Sequence, residues 1–237
     1  MKNKLIKTLA FLTRNLPYIK GEKRIWRLIY NPDKRQNDYI ETIIPYDKNL
    51  KIHINTSSFI EWDIFVSGYY EPHIVKLIKK YLKKDDVFVD VGANIGCHTL
   101  IAAKICKKVI AIEPEPNVRN RLIQNIKLNN LKNVIVYDYA ISDYVGEGNL
   151  YPPLDDNSHK GLSCLIYKND LNLKNESIKV KVITLDELLK NEEKINFIKI
   201  DIESFNRTAI FGAKNIIKKF NPIVLYERDG TDIMQFF

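Results

Sequence analysis

From Val87 onward, short apolar runs alternate with stretches whose apolar positions recur every three or four residues. Residues 87–91, 109–112, 134–137, 196–201 and 222–226 are β-branched and strand-length, as in parallel strands buried on both faces. Between them the spacing predicts helices over 97–106, from Pro116 with Val118, Leu122 and Ile126 on one side, over 185–190 capped by Thr184, and over 207–220. Strands alternating with helices imply an α/β fold: a Rossmann-like, doubly wound, mostly parallel sheet with helices on both faces. Residues 146–175 break the rhythm with a polar, Pro-containing stretch read as a hairpin or loop near the site.

The chain before residue 85 reads differently. Leu5, Leu9, Leu12 and Leu16 recur at helical spacing and predict an amphipathic basic helix, suited to a membrane surface or to packing on the domain. A turn is expected at Asn31, Pro32 and Asp33. A hairpin is expected where Ile43-Ile44 and residues 51–54 flank the polar Asp47, Lys48 and Asn49. Glu71-Pro72 opens a helix with Ile74, Val75, Leu77, Ile78 and Leu82 along one side. Two regions follow: a helical and hairpin extension over 1–84 and an α/β domain over 85–237.

Composition changes this picture little. The 237 residues hold 45% apolar side chains, enough for an ordinary core, and 37 basic against 29 acidic residues, a net charge of +8. That excess suits anionic partners, although in a chain rich in Lys, Asn and Ile a solvated basic surface is the leading reading. Cys97, Cys106 and Cys164 have no metal-site spacing and leave one thiol over, against a disulfide framework and for a reducing, cytoplasmic setting. No apolar run reaches the roughly 20 residues that span a bilayer. His53, His73 and His159 show no ligand spacing, so no metal is expected.

The candidate chemistry lies in residues 90–96, Asp-Val-Gly-Ala-Asn-Ile-Gly, at the carboxyl end of the first strand of the α/β region. Ligands of such sheets bind at that edge, where loop amides and a helix N-terminus point outward. Gly92 permits the sharp turn, and Gly96 allows close approach as the helix begins. Glu113 ends the next strand and suits the ribose hydroxyls of an adenosine. Asn94 occupies the position of the second glycine of a dinucleotide fingerprint and would crowd a pyrophosphate, which disfavours NAD. S-adenosylmethionine brings a cationic sulfonium instead of phosphate and suits the carboxylate of Asp90. His98, just after the turn, stands where it would lie over that cofactor.

These segments resemble the FkbM family of methyltransferases. The likeness runs through Tyr70-Glu71, VFVDVGANIG at 87–96, AIEPEPN at 111–117, Asn125 and Asn129, residues 140–143, residues 184–186, FIKIDIE at 197–203, and residues 210–213. The resemblance implies a class I S-adenosylmethionine-dependent methyltransferase acting on a hydroxyl oxygen of a sugar or other small-molecule acceptor. It implies cofactor contacts from Asp90, Gly92, Asn94, Gly96 and Glu113, with Ala93, Pro114 and Ala140 in the same matching segments, and Asp201 and Glu203 facing the methyl and the acceptor. Two features depart from the family pattern: Ser204 and Asn206 stand where a Gly and a second acid are usual, and the chain is short for a terminal antiparallel hairpin. An RNA methyltransferase and a catalytically degenerate cofactor-binding relative are the alternatives, with nucleic acid the less favoured partner.

Overall fold

The computed structural model describes residues 2–14, 22–31, 39–151, 164–166, 177–202 and 205–227. The chain divides into two compact units between Ile74 and Val75.

The first unit begins with α1 (Lys2–Arg14) and α2 (Glu22–Ile29) and continues with the antiparallel hairpin of β1 (Glu41–Tyr46) and β2 (Leu50–Asn55), where the sequence expects one. Next comes α3 (Phe59–Ser67), against which α1, α2 and β2 pack. Residues 60–66 of α3 are all buried, so this helix shows no polar stripe. Phe65 is its hub: Trp26 meets it edge-on, and the Arg14 guanidinium lies over its ring and donates to its carbonyl oxygen. The expected stripe of α1 does not hold. Ile6 and Ala10 turn inward, Leu9 is half-buried, and Leu5 and Leu12 face solvent. Leu16, Pro32 and Asp33 lie outside the described residues.

The second unit starts within α4 (Pro72–Tyr81). Its main sheet comprises β3 (Val87–Val91), β4 (Lys108–Ile112), β5 (Val134–Tyr137), β10 (Phe197–Ile200) and β11 (Ile223–Tyr226). All neighbours are parallel, in the order β11-β10-β3-β4-β5. The chain winds outward from β3 through β4 to β5, then returns to the other side of β3 with β10. A topological switch point therefore lies between the carboxyl ends of β3 and β10. Alternation then assigns each face. Val87, Val89, Val91, Ile198 and Ile200 pack with residues from α7 (Leu185–Leu188), α8 (Asn206–Phe211) and α9 (Lys214–Phe220). Phe88 and Asp90, in register with Phe197 and Lys199, face the side of α5 (Cys97–Ile105).

A second, four-stranded sheet was not anticipated. It is ordered β6-β9-β7-β8, from β6 (Tyr139–Ile141), β7 (Gly146–Tyr151), β8 (Cys164–Ile166) and β9 (Ile178–Ile183). β7 and β8 are antiparallel, so the polar stretch does hold a hairpin, and β9 pairs antiparallel with β7 and parallel with β6. The single helix expected over 207–220 is two, parted at Gly212-Ala213. A β-carbon on Gly212 would come within 2.2 Å of the Ser142 carbonyl oxygen, so the joint is pressed against the end of β6. Asp186, from the stretch 184–186, accepts from the amides of Asn215 and Ile216 and so caps α9. Residues 228–237, where a terminal hairpin would fall, lie outside the described residues.

Candidate functional site

After β3 the backbone enters the left-handed region three times in five residues, at Gly92 (φ 78°), Asn94 (φ 51°) and Gly96 (φ 99°). Glycine takes that conformation without penalty, and asparagine is among the side chains that tolerate it best. The amides of Gly92 and Ala93 both donate to the Ile112 carbonyl oxygen at 3.0 Å, tying the bend to the end of β4. Space constrains Gly92 as well: a β-carbon there would lie 2.1 Å from the Asp201 carbonyl oxygen. At Gly96 a β-carbon would lie 2.7 Å from Leu122 Cδ1 of α6 (Pro116–Leu128). Both glycines thus make room for the chain itself, across the switch point and against α6. Buried Asn125 completes the brace by donating to the Ile95 carbonyl at 2.9 Å.

Glu113 reaches the bend. Its Oε2 accepts from the Asn94 amide at 2.9 Å and its Oε1 from the Glu115 amide at 3.0 Å, leaving a further lone pair on each oxygen. Arg119 donates to the carbonyl oxygens of Glu113 and Pro114, and Glu115 caps α6 through the Val118 amide, so the segment 113–115 is fixed at both ends. Burial outweighs the two amide hydrogen bonds and pushes the Glu113 carboxyl up to about 7.

Beside the bend is a cavity of about 380 Å³ of empty space, including its open mouth. Gly92, Pro114, Tyr139, Ala140, Leu150 and Phe205 are among its lining, so it spans the switch-point edge of the main sheet and the start of the second sheet. The wall is largely apolar, as a stacked base requires.

A buried ionic cluster lies under the same edge. Lys199, 4% exposed, sits in register with Asp90 and two residues before Asp201, so strand alternation puts all three on one face. Its ammonium donates to Asp201 Oδ2 at 2.8 Å and lies 3.8 Å from Asp90 Oδ1. Asp90 Oδ2 accepts from Thr99 Oγ1 at 2.6 Å, while Oδ1 has no hydrogen-bond partner among the described residues. Asp90 is therefore nearly fully buried below the bend and is not among the residues lining the cavity. Burial drives its carboxyl upward against the opposing pull of Lys199 and Thr99. At half-buried Asp201 the balance reverses. Burial raises it, but the charge and hydrogen bond of Lys199, aided by the charge of His98, hold it below the ordinary carboxylate value. His98 is buried in the first turn of α5, and its electrostatic neighbour is Asp201.

Of the residues singled out from sequence, Gly92, Pro114 and Ala140 line the cavity, and Glu113 and Asn94 are joined by a hydrogen bond. Ala93 and Gly96 build the bend, and Asp90, His98 and Asp201 meet at the ionic cluster. Glu203 and Ser204 lie outside the described residues. Sequence reading passed over Lys199 and Thr99. The available signal was a lysine in an otherwise apolar strand, spaced by two from Asp201.

Asn206 has a structural occupation. Its Oδ1 accepts from the Ile202 amide and its Nδ2 donates to the Glu227 carbonyl, each at 2.8 Å. An ionised acid could accept the first bond but not donate the second, so asparagine clamps the ends of β10 and β11 as an acid cannot.

Residues 90–237 match the family described as Methyltransferase FkbM domain. Hexuronic acid methyltransferase AglP of Haloferax volcanii is 28% identical over 165 residues, which cover 68% of this chain and 64% of that protein. The chain thus spans slightly less than two thirds of this relative's length. Among solved structures, Methyltransferase FkbM from Methylobacillus flagellatus aligns with 15% identity and a TM-score of 0.42, covering 69% of this chain and 41% of that one. An rRNA methylase from Streptococcus thermophilus aligns with 12% identity and a TM-score of 0.41, covering 65% and 68%.

Proposed function

Since the chain belongs to the FkbM methyltransferase family, we propose that it transfers a methyl group from S-adenosylmethionine to a hydroxyl oxygen of a sugar or similar small-molecule acceptor. The observation that carries this reading is the carboxylate of Glu113, fastened to the Asn94 amide of the glycine bend and next in the chain to Pro114, which lines an apolar cavity on the switch-point edge.

The donor set fits this cofactor. Glu113 has lone pairs left for two ribose hydroxyls, and Pro114, Tyr139, Ala140 and Ile141 offer an apolar wall for adenine. Asn94 puts a side chain where a dinucleotide site has its second glycine, which disfavours the pyrophosphate of NAD. When bound, the cofactor supplies a methyl group already activated on sulfur.

The protein then has to place an acceptor and manage its proton. Asp201, kept ionised near neutral pH, accepts a hydrogen bond from the acceptor hydroxyl and receives its proton as the oxygen loses basicity. Lys199 positions that carboxylate and keeps it charged. Asn206 holds the strand ends and leaves Asp201 untouched, so it is compatible with an active enzyme rather than a mark of decay.

The name of AglP supports a hexuronic acid as the first acceptor to try. Incubation with methyl-labelled cofactor and uronic acid glycosides should give labelled methyl ethers, and Asp201→Asn should lower turnover by roughly 10²–10⁴-fold. Unchanged turnover in Asp201→Asn would remove it from the chemistry, and label entering RNA but no sugar would overturn the acceptor class.

A further inference from the structure

The positive charge of the chain is concentrated at one end. Eight of the first 29 residues are Lys or Arg and one is acidic, so seven of the eight net charges lie there. The remaining 208 residues carry 29 basic and 28 acidic side chains and are nearly neutral. A basic surface arising from composition alone would be spread along the chain.

The same segment exposes large aliphatic side chains. α1 turns Ile6 and Ala10 inward and leaves Leu5 62% and Leu12 53% exposed, alongside exposed Lys4 and Lys7. α2 spends Trp26 on the core, and Tyr30 just beyond it is buried too, while Ile25, Leu28 and Ile29 point outward with Leu28 89% exposed. Spacings of three and four residues put this trio on one face of the helix. Within α2, Lys23 is committed to Asp63 and the Arg27 guanidinium lies over the Phe59 ring, so Arg24 flanks the aliphatic face. A contiguous apolar face on a helix end marks a binding surface more often than chance.

We propose that the outward faces of α1 and α2 seat the protein on an anionic lipid surface. The aliphatic side chains enter the headgroup boundary, and Lys4, Lys7 and Arg24 meet the acidic headgroups, as in helices that lie in the plane of a membrane. Among the described residues no helix is long and apolar enough to cross a bilayer, and at 13 and 8 residues these two can only lie on one. Charge selects this occupant over a second copy of the chain, because two such segments repel each other. It selects lipid over nucleic acid because five of the six large apolar side chains that these helices expose are aliphatic, and Phe11 alone offers a ring for stacking a base.

Sedimentation of the full chain with vesicles tests the proposal without reference to methyl transfer. The protein should pellet with phosphatidylcholine vesicles that contain phosphatidylglycerol and stay in solution with pure phosphatidylcholine. Leu28→Glu, at a site too exposed to affect folding, should weaken binding about tenfold. Arg24→Glu should weaken it at least about fivefold, and added salt should weaken it further. Three results would overturn the proposal. These are no pelleting with either vesicle, equal pelleting of Leu28→Glu and the parent, or light scattering that shows a dimer lost in Leu28→Glu. Binding of S-adenosylhomocysteine, measured on the same samples, reports the cofactor site separately.

Discussion

At the scale of single residues, two acids are held in opposite electrostatic states. Glu113 is pushed up to about 7 by burial, from an ordinary value of 4.5. The folded chain therefore holds this proton more tightly than the unfolded chain. The stability it contributes is fully present below pH 4.5 and is lost as pH rises through about 7, up to about 3 kcal/mol. Unfolding in denaturant across that window should show the decline, and Glu113→Gln should flatten it. Cofactor binding runs the other way, since the ionised carboxylate is the better acceptor of ribose hydroxyls. Affinity for S-adenosylhomocysteine should therefore fall about tenfold per pH unit below the Glu113 value. Asp201 is held low chiefly by Lys199, against the effect of burial. Lys199→Met should raise the Asp201 value and move the acidic limb of the pH–rate profile upward. It should also cost about 3 kcal/mol of stability, because buried Asp90 and half-buried Asp201 lose their counterion. An unmoved acidic limb would show that Lys199 does no more than fill space.

At the scale of elements, the motifs shared with the family divide into those that shape the site and those that hold the frame. Gly212 and Asp186 belong to the frame. Gly212→Ala would force a β-carbon to 2.2 Å from the Ser142 carbonyl, and Asp186→Ala would uncap α9. Each should lower the melting temperature, the second by about 1 kcal/mol of stability, with cofactor affinity kept in the fraction that remains folded. The strand–bend–helix over 87–105 and the acid that ends β4 were legible because strand periodicity, glycine spacing and a terminal carboxylate agree on one reading. α3 was not, since a helix buried on all sides carries no periodic polar positions. The second sheet was missed for another reason. Ile178, Val180 and Val182 alternate plainly with lysines, but β6 is only three residues long, and nothing in the sequence near β9 names it as a partner. The face of α1 was misread because its inward side is marked by a small residue, Ala10, and its conspicuous leucines flank that side. Lys199 went unnoticed because a lysine in a strand reads as a solvated position until register sets it opposite Asp90.

At the scale of the whole molecule, charge and chemistry are separated along the chain. The basic excess lies in the first 29 residues, while the cavity and the ionic cluster belong to the second unit. A site of this form should gain stability from its own ligand alone. S-adenosylhomocysteine at about 100 times its dissociation constant should add about 2.7 kcal/mol and raise the melting temperature, and NAD at the same concentration should not. The most direct test of the central claim, that Glu113 grips an adenosine at the bend, is calorimetric titration of S-adenosylhomocysteine into the parent chain and Glu113→Gln. Saturable binding that weakens about tenfold or more in the variant is the predicted result. No binding to the parent, or equal binding to both proteins, would contradict it.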